Sequence, residues 1–101
     1  MRIKNFQDME RAMRNRQPFQ HRSYSAYYQG DEYVLQHWST VIASVDADGN
    51  LAFFAPGYYS NTTSGFQGRI IRNVLSPTGV EQLKGLVKGH ERERNILNMI
   101  H

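Results

Sequence analysis

A chain of 101 residues, 40% hydrophobic and 21% charged, has room for one modest core and reads as a single domain over residues 1–101. The absence of cysteine excludes disulfides, thiolate nucleophiles and cysteine-held zinc, and no apolar run approaches the ~20 residues of a membrane helix. The net charge of +3 is unevenly spread, with +4 over residues 1–22, −4 and no Lys or Arg over residues 23–68, and +3 over residues 69–101.

The opening stretch MRIKNFQDMERAMR has charges throughout and no apolar segment of the secretory kind. With the missing cysteines this predicts a cytoplasmic protein that engages no membrane. Phe6, Met9 and Met13 recur at helical spacing behind Asn5, a candidate N-cap, so a helix is expected from Asn5 to about Arg16. Gln17-Pro18 stops it, because a residue before proline avoids helical backbone angles.

Beyond Phe19 the composition turns aromatic and β-branched, through Tyr24, Tyr27, Tyr28, Tyr33, Val34, Leu35, Trp38, Val41, Ile42 and Val45. Turn signals stand at Gln29-Gly30-Asp31 and at Asp46-Ala47-Asp48-Gly49-Asn50, and Leu51 to Ala55 forms a returning strand closed by Pro56-Gly57. Further on, Ile70, Ile71, Val74 and Leu75 share a helical face opposite Arg69, Arg72 and Asn73. Ser76-Pro77 supplies a cap and a first-turn proline for the next helix, whose apolar stripe is Val80, Leu83, Leu86 and Val87. A last segment, Glu91 to Ile100, carries Ile96, Leu97 and Ile100. The expected fold is α+β: an N-terminal helix, a small antiparallel sheet of three to four strands, and two to three C-terminal helices packed on one face.

Between the last strand and the next helix runs GYYSNTTSGFQG, Gly57 to Gly68, without a single charge. Read as a turn over Tyr59 to Gln67, it offers three consecutive hydroxyls (Thr62, Thr63, Ser64), more than one helix cap requires. Gly65 and Gly68 permit close backbone approach, and Arg69 and Arg72 bring positive charge to what could be an anion-accepting helix start. The plain alternative is a capped helix behind a solvated turn.

The run Tyr59-Ser60-x-Thr62-Thr63-Ser64-x-x-Gln67, behind Thr40-Val-Ile42-Ala43 and Asp48-Gly49, resembles a family of small uncharacterised phage, prophage and plasmid proteins with a YS-x-TTS-x-HQ motif. The likeness covers roughly residues 33–72. It departs at Phe66, where the family tends to have histidine. The resemblance implies a phage-type source and marks this stretch as the working region, and it brings no established activity or cofactor with it.

The residues themselves do not suggest catalysis. His21, His37, His90 and His101 lack metal-ligand spacing, and no acidic residue is placed to orient a histidine beside Ser60 or Ser64. The chain therefore reads as a non-enzymatic protein without metal or cofactor. Eleven of its twelve aromatics lie between Phe19 and Phe66, where Arg22 is the one basic residue. Tyr and Trp in a charge-poor patch are typical of the centres of protein interfaces. The expected function is docking on a host or phage protein, as an inhibitor of a defence or transcription system. The expected contacts are Tyr58, Tyr59, Ser60, Thr62, Thr63, Ser64, Gln67, Arg69, Arg72, Tyr28 and Trp38. Two alternatives stand beside it. In one, Arg11, Arg14, Arg16, Arg69 and Arg72 contact nucleic-acid phosphates around the Thr62–Ser64 turn. In the other, the same turn captures a nucleotide ligand.

Overall fold

A computed structural model describes residues 3–55 and 61–87. The first helix, α1 (Phe6–Arg14), begins where expected: Asn5 is the N-cap, and its side-chain oxygen accepts the Asp8 N–H at 2.9 Å. The chain leaves it through Arg16, a non-glycine residue with φ +53°.

Five strands follow: β1 (Phe19–His21), β2 (Tyr24–Gln29), β3 (Glu32–His37), β4 (Thr40–Val45) and β5 (Leu51–Phe54). Each is antiparallel to the next, so order across the sheet is chain order. The sheet thus has five strands where the sequence suggested three to four. Two of its hairpins close through Arg22-Ser23 and Trp38-Ser39, which contain none of the Gly, Pro or Asn that punctuate turns. The third two-residue turn, Gly30-Asp31, has the expected glycine with φ +62°.

The second helix, α2 (Asn61–Asn73), starts well before Arg69. Thr62, Thr63, Ser64 and Gln67 are therefore helical, and the Tyr59–Gln67 turn of the sequence reading is corrected to helix from Asn61 onward. Phe66, Ile70 and Val74, buried at four-residue spacing, set that helical period over the unfavourable local preferences of threonine and glycine. The third helix, α3 (Pro77–Val87), is capped by Ser76, whose Oγ accepts the Gly79 N–H at 3.0 Å. The expected third C-terminal segment, Glu91 to Ile100, lies outside the described residues.

One core holds these elements together. Met9, Ala12 and Met13 of α1, Phe66, Ile70, Ile71 and Val74 of α2, and Leu83 of α3 pack with Tyr24, Ala26, Tyr33, Leu35, Ala43, Val45 and Phe54 of the sheet. All three helices thus lie on one face. The cross-strand row Tyr27, Val34, Ser44, Phe53 faces the other way. A register shift at Ala52 bends β5, and another near Ile42 turns that residue inward.

The start of α3 is docked on the β4–β5 turn. Ser76 donates to the Gly49 carbonyl through both its N–H (3.2 Å) and its Oγ (3.1 Å). A Cβ on Gly79 would stand 2.5 Å from that carbonyl oxygen, whereas a Cβ on Gly85 would meet nothing within 4 Å. Alanine at these two helical glycines should therefore have opposite effects. Gly79→Ala should destabilise by about 1–3 kcal/mol through the clash, and Gly85→Ala should stabilise by roughly 0.5–1 kcal/mol through helix propensity. Chemical denaturation of both variants checks the pair; equal signs would contradict the close docking.

Candidate docking surface

The structure separates residues that the sequence reading grouped together. Gln67 is fully buried and its Nε2 donates to the Ala55 carbonyl at 2.8 Å, so it joins β5 to α2 and presents nothing outward. Arg69 lies with its guanidinium 4.4 Å from the centre of the Phe6 ring and pairs with Glu10 at 3.9 Å. It fastens α2 to α1. Arg72 is exposed but reaches the same Glu10 carboxylate at 3.7 Å. Tyr24 and Tyr33, within the aromatic stretch of the sequence, are core residues. Tyr28 is half-exposed beside the Gly30 turn, its hydroxyl donating to the Arg16 carbonyl at 2.7 Å. It stands at the opposite end of the sheet from Trp38. Tyr58, Tyr59 and Ser60 lie outside the described residues.

Trp38 is the most exposed large hydrophobic side chain among the described residues, at 74%. It occupies the first position of the β3–β4 turn with φ +55°, a region that a bulky residue adopts only at a cost. The turn is held from both sides. The Trp38 N–H donates to the Ser23 carbonyl and the Trp38 carbonyl accepts from Gln36 Nε2, both at 2.7 Å. Gln36 Oε1 in turn accepts from the Tyr27 hydroxyl at 3.1 Å. The neighbouring β1–β2 turn places Arg22 in the same strained region, with φ +54°.

Sequence reasoning missed Arg22, Tyr27 and Gln36. Their only signal is the strand register, since a two-residue turn at Arg22 and Trp38 puts Tyr27 and Gln36 on one face. That face carries Gln20, Ser25, Tyr27, Val34, Gln36, Val41, Ser44 and Phe53, none of them charged, and Glu32 lies at its far end.

Beneath the tip lies an aromatic column. The Trp38 ring tilts against His37 (6.1 Å), His37 stacks on Tyr24 (4.7 Å), and Tyr24 contacts Phe66 (4.7 Å) and Phe6 (5.8 Å). Phe66, at the position where the resembled motif carries histidine, is fully buried here. Burial lowers the pKa of His37 from its ordinary 6.5, because the charged imidazolium loses its hydration inside the column. At the other end of the sheet, the Asp46 carboxyl is held below its ordinary 3.8, chiefly by the Asn50 N–H and also by the Asp48 N–H.

Among the described residues no group of three or more His, Asp or Glu side chains could hold a metal ion, and no helix is long and apolar enough to cross a membrane. No family model matches the chain, and no curated protein or solved structure does.

The two shifts act in separate pH windows. The fold favours neutral His37, so its contribution is complete above pH 6.5 and declines as the unfolded chain takes up a proton below it. Asp46 contributes above 3.8, and that contribution is lost as pH falls through its lowered folded value. Denaturant titrations between about pH 7 and 5 should show stability declining with acid. His37→Phe should flatten that slope, and an unchanged slope would remove His37 as its source.

Proposed function

We propose that this is a non-enzymatic, phage-type binding protein that docks on a host or phage protein through the hairpin end of its sheet, with Trp38 as the anchor. One observation carries the reading: an exposed tryptophan is held in a backbone conformation that glycine would adopt freely. The chain uses glycine at the equivalent position of the Gly30 turn, whereas the β1–β2 and β3–β4 turns, side by side at the other end of the sheet, place Arg22 and Trp38 there. A left-handed non-glycine residue costs roughly 1–2 kcal/mol, and nothing in the core is gained by burying this side chain. Strain of this kind persists where presentation of the residue matters. A rigid, preorganised Trp beside Arg22 and the uncharged Tyr27–Gln36 surface has the composition of an interface hot spot.

Inhibition of a host defence or transcription system fits a small protein that acts by occupying a surface. The nucleic-acid reading is weaker because its arginines are engaged within the chain. Arg11 pairs with Asp8, Arg14 donates to Asn73, Arg16 donates to Asp46 and Val74, and Arg69 and Arg72 share Glu10. Capture of a nucleotide would need the start of α2 to present free donors without that arginine charge.

Trp38→Gly should separate stability from function. Relief of the left-handed backbone should leave the unfolding midpoint unchanged or raise it, by up to about 1 kcal/mol. In pulldowns from nuclease-treated lysate of a candidate bacterial host, a protein retained by the wild-type chain should be lost with this variant. Equal retention by both would refute Trp38 as the anchor, and loss of stability in Trp38→Gly would refute the strain argument.

A further inference from the structure

The Phe6 ring, at the start of α1, gathers more positive charge than the residues around it neutralise. The Arg69 guanidinium lies 4.4 Å from the ring centre, and that of Arg22, from the β1–β2 turn, lies 5.6 Å from it. Glu10 is the carboxylate beside this cluster, and its Oε1 is shared too widely to serve it. That oxygen accepts from Asn73 Nδ2 at 3.1 Å, while Arg69 Nε stands 3.9 Å and Arg72 Nη2 3.7 Å away, beyond hydrogen-bond length. Arg69 Nη1 reaches the Gly65 carbonyl only at 3.4 Å. Arg22 is exposed and has no ion pair or side-chain hydrogen bond among the described residues. The next carboxylate along α1, Asp8, is engaged by Arg11 and by the Lys4 N–H. Three guanidiniums thus stand against one carboxylate. Two nitrogens buried near the same ring, Arg69 Nε and His21 Nε2, also lack a hydrogen-bond partner, and the His21 ring is 5.4 Å from that of Phe6.

We infer that Arg22 and Arg69 form a binding site for an oxyanion, a phosphate or carboxylate group, beside the Phe6 ring. A guanidinium presents a planar fork of donors that matches the oxygens of either group. The aromatic ring orients both forks before a ligand arrives, so little side-chain freedom remains to be lost on binding. The site also has a way to release Arg69. Glu10 keeps Asn73 and Arg72 as partners when Arg69 turns toward the oxyanion, so no half-buried carboxylate is left unpaired. The surplus charge is local. Arg11, Arg14 and Arg16 are held by Asp8, Asn73 and backbone carbonyls. One discrete group therefore suits the site better than a nucleic-acid strand, which needs a track of free cations.

Titration of the full chain with inorganic phosphate, at ionic strength held constant with sodium chloride, tests the site. NMR of the arginine Nε–H signals should show saturable shifts at Arg22 and Arg69, with a dissociation constant in the millimolar range. Arg22→Gln, at an exposed position, should weaken binding roughly tenfold. Glu10→Gln removes the competing carboxylate and should tighten binding about threefold. Arg11→Gln lowers the net charge as much as Arg22→Gln does, yet it removes a side chain engaged with Asp8 and should leave the affinity unchanged. A parallel titration with sodium acetate identifies the source of the oxyanion: tighter phosphate assigns a phosphorylated group, and tighter acetate an acidic side chain. No saturable shift with either anion up to about 50 mM overturns the inference. So does equal weakening by Arg11→Gln and Arg22→Gln, the mark of general charge attraction. No partner protein enters the titration, so its outcome is separate from that of the docking reading.

Discussion

Arg16 is the residue on which the closure of this fold depends. It sits just past α1 in a left-handed conformation that turns the chain back toward the sheet. Its guanidinium donates to the Asp46 carbonyl at 2.6 Å and the Val74 carbonyl at 3.2 Å. One planar group thus satisfies the β4–β5 turn and the end of α2 together, which a lysine point charge could not do in that geometry. Its own carbonyl accepts from the Tyr28 hydroxyl, and the next carbonyl, of Gln17, accepts from the buried Tyr33 hydroxyl at 2.7 Å. Burial raises the Tyr33 pKa far above its ordinary value, so this donor stays protonated. Helix α1, strands β2 and β3, the β4–β5 turn and helix α2 all meet there.

That concentration of bonding gives the sheet two unlike ends. At the Arg16 end, carbonyls are capped, Gly49 and Gly79 approach closely, and Ser76 locks α3 in place. At the Trp38 end, two turns hold Arg22 and Trp38 at positive φ. The bonding network around Arg16 offsets the strain of Arg16 itself and of the two turns at the other end. A small domain with marginal total stability can carry such strain only if the rest of its structure is well tied. The aromatic column from Phe6 through Tyr24 and His37 links the two features, because it seats the strained tip on the same core that α1 and α2 close.

Much of the fold was legible in the sequence because its signals were local. Asn5 caps α1, Ser76-Pro77 opens α3, and the apolar period of Ile70, Ile71 and Val74 marks α2. The misses share one cause. Arg22-Ser23 and Trp38-Ser39 form turns in which only a serine carries any turn preference and the left-handed position holds Arg or Trp, so β1 and one hairpin could not be counted. Thr62, Thr63 and Gly65 have poor helix propensity, yet Phe66 and Gln67 are drawn inward by contacts with Tyr24 and Ala55. Tertiary packing overrode propensity there. The candidate surface was half legible: Trp38 and the lack of charge were visible, and the register that adds Tyr27 and Gln36 was not.

The fate of the TTS-containing stretch bears on what such a motif encodes. A run of hydroxyls, glycines and a glutamine looks like a ligand loop when it is read residue by residue. In the fold, its second half supplies a buried ring against Tyr24 and a buried amide bonded to the Ala55 carbonyl, and Arg69 just after it lies over Phe6. These three contacts orient α2 against the sheet and α1. At position 66 an imidazole would meet the Tyr24 ring in a dry core, where its charged form is disfavoured, and a phenylalanine fills that place without titrating. Phenylalanine at position 66 is thus a matter of packing at the helix's inner face. In this chain Phe66, Gln67 and Arg69 build the platform, and the exposed Trp38 stands on the hairpin end of the sheet.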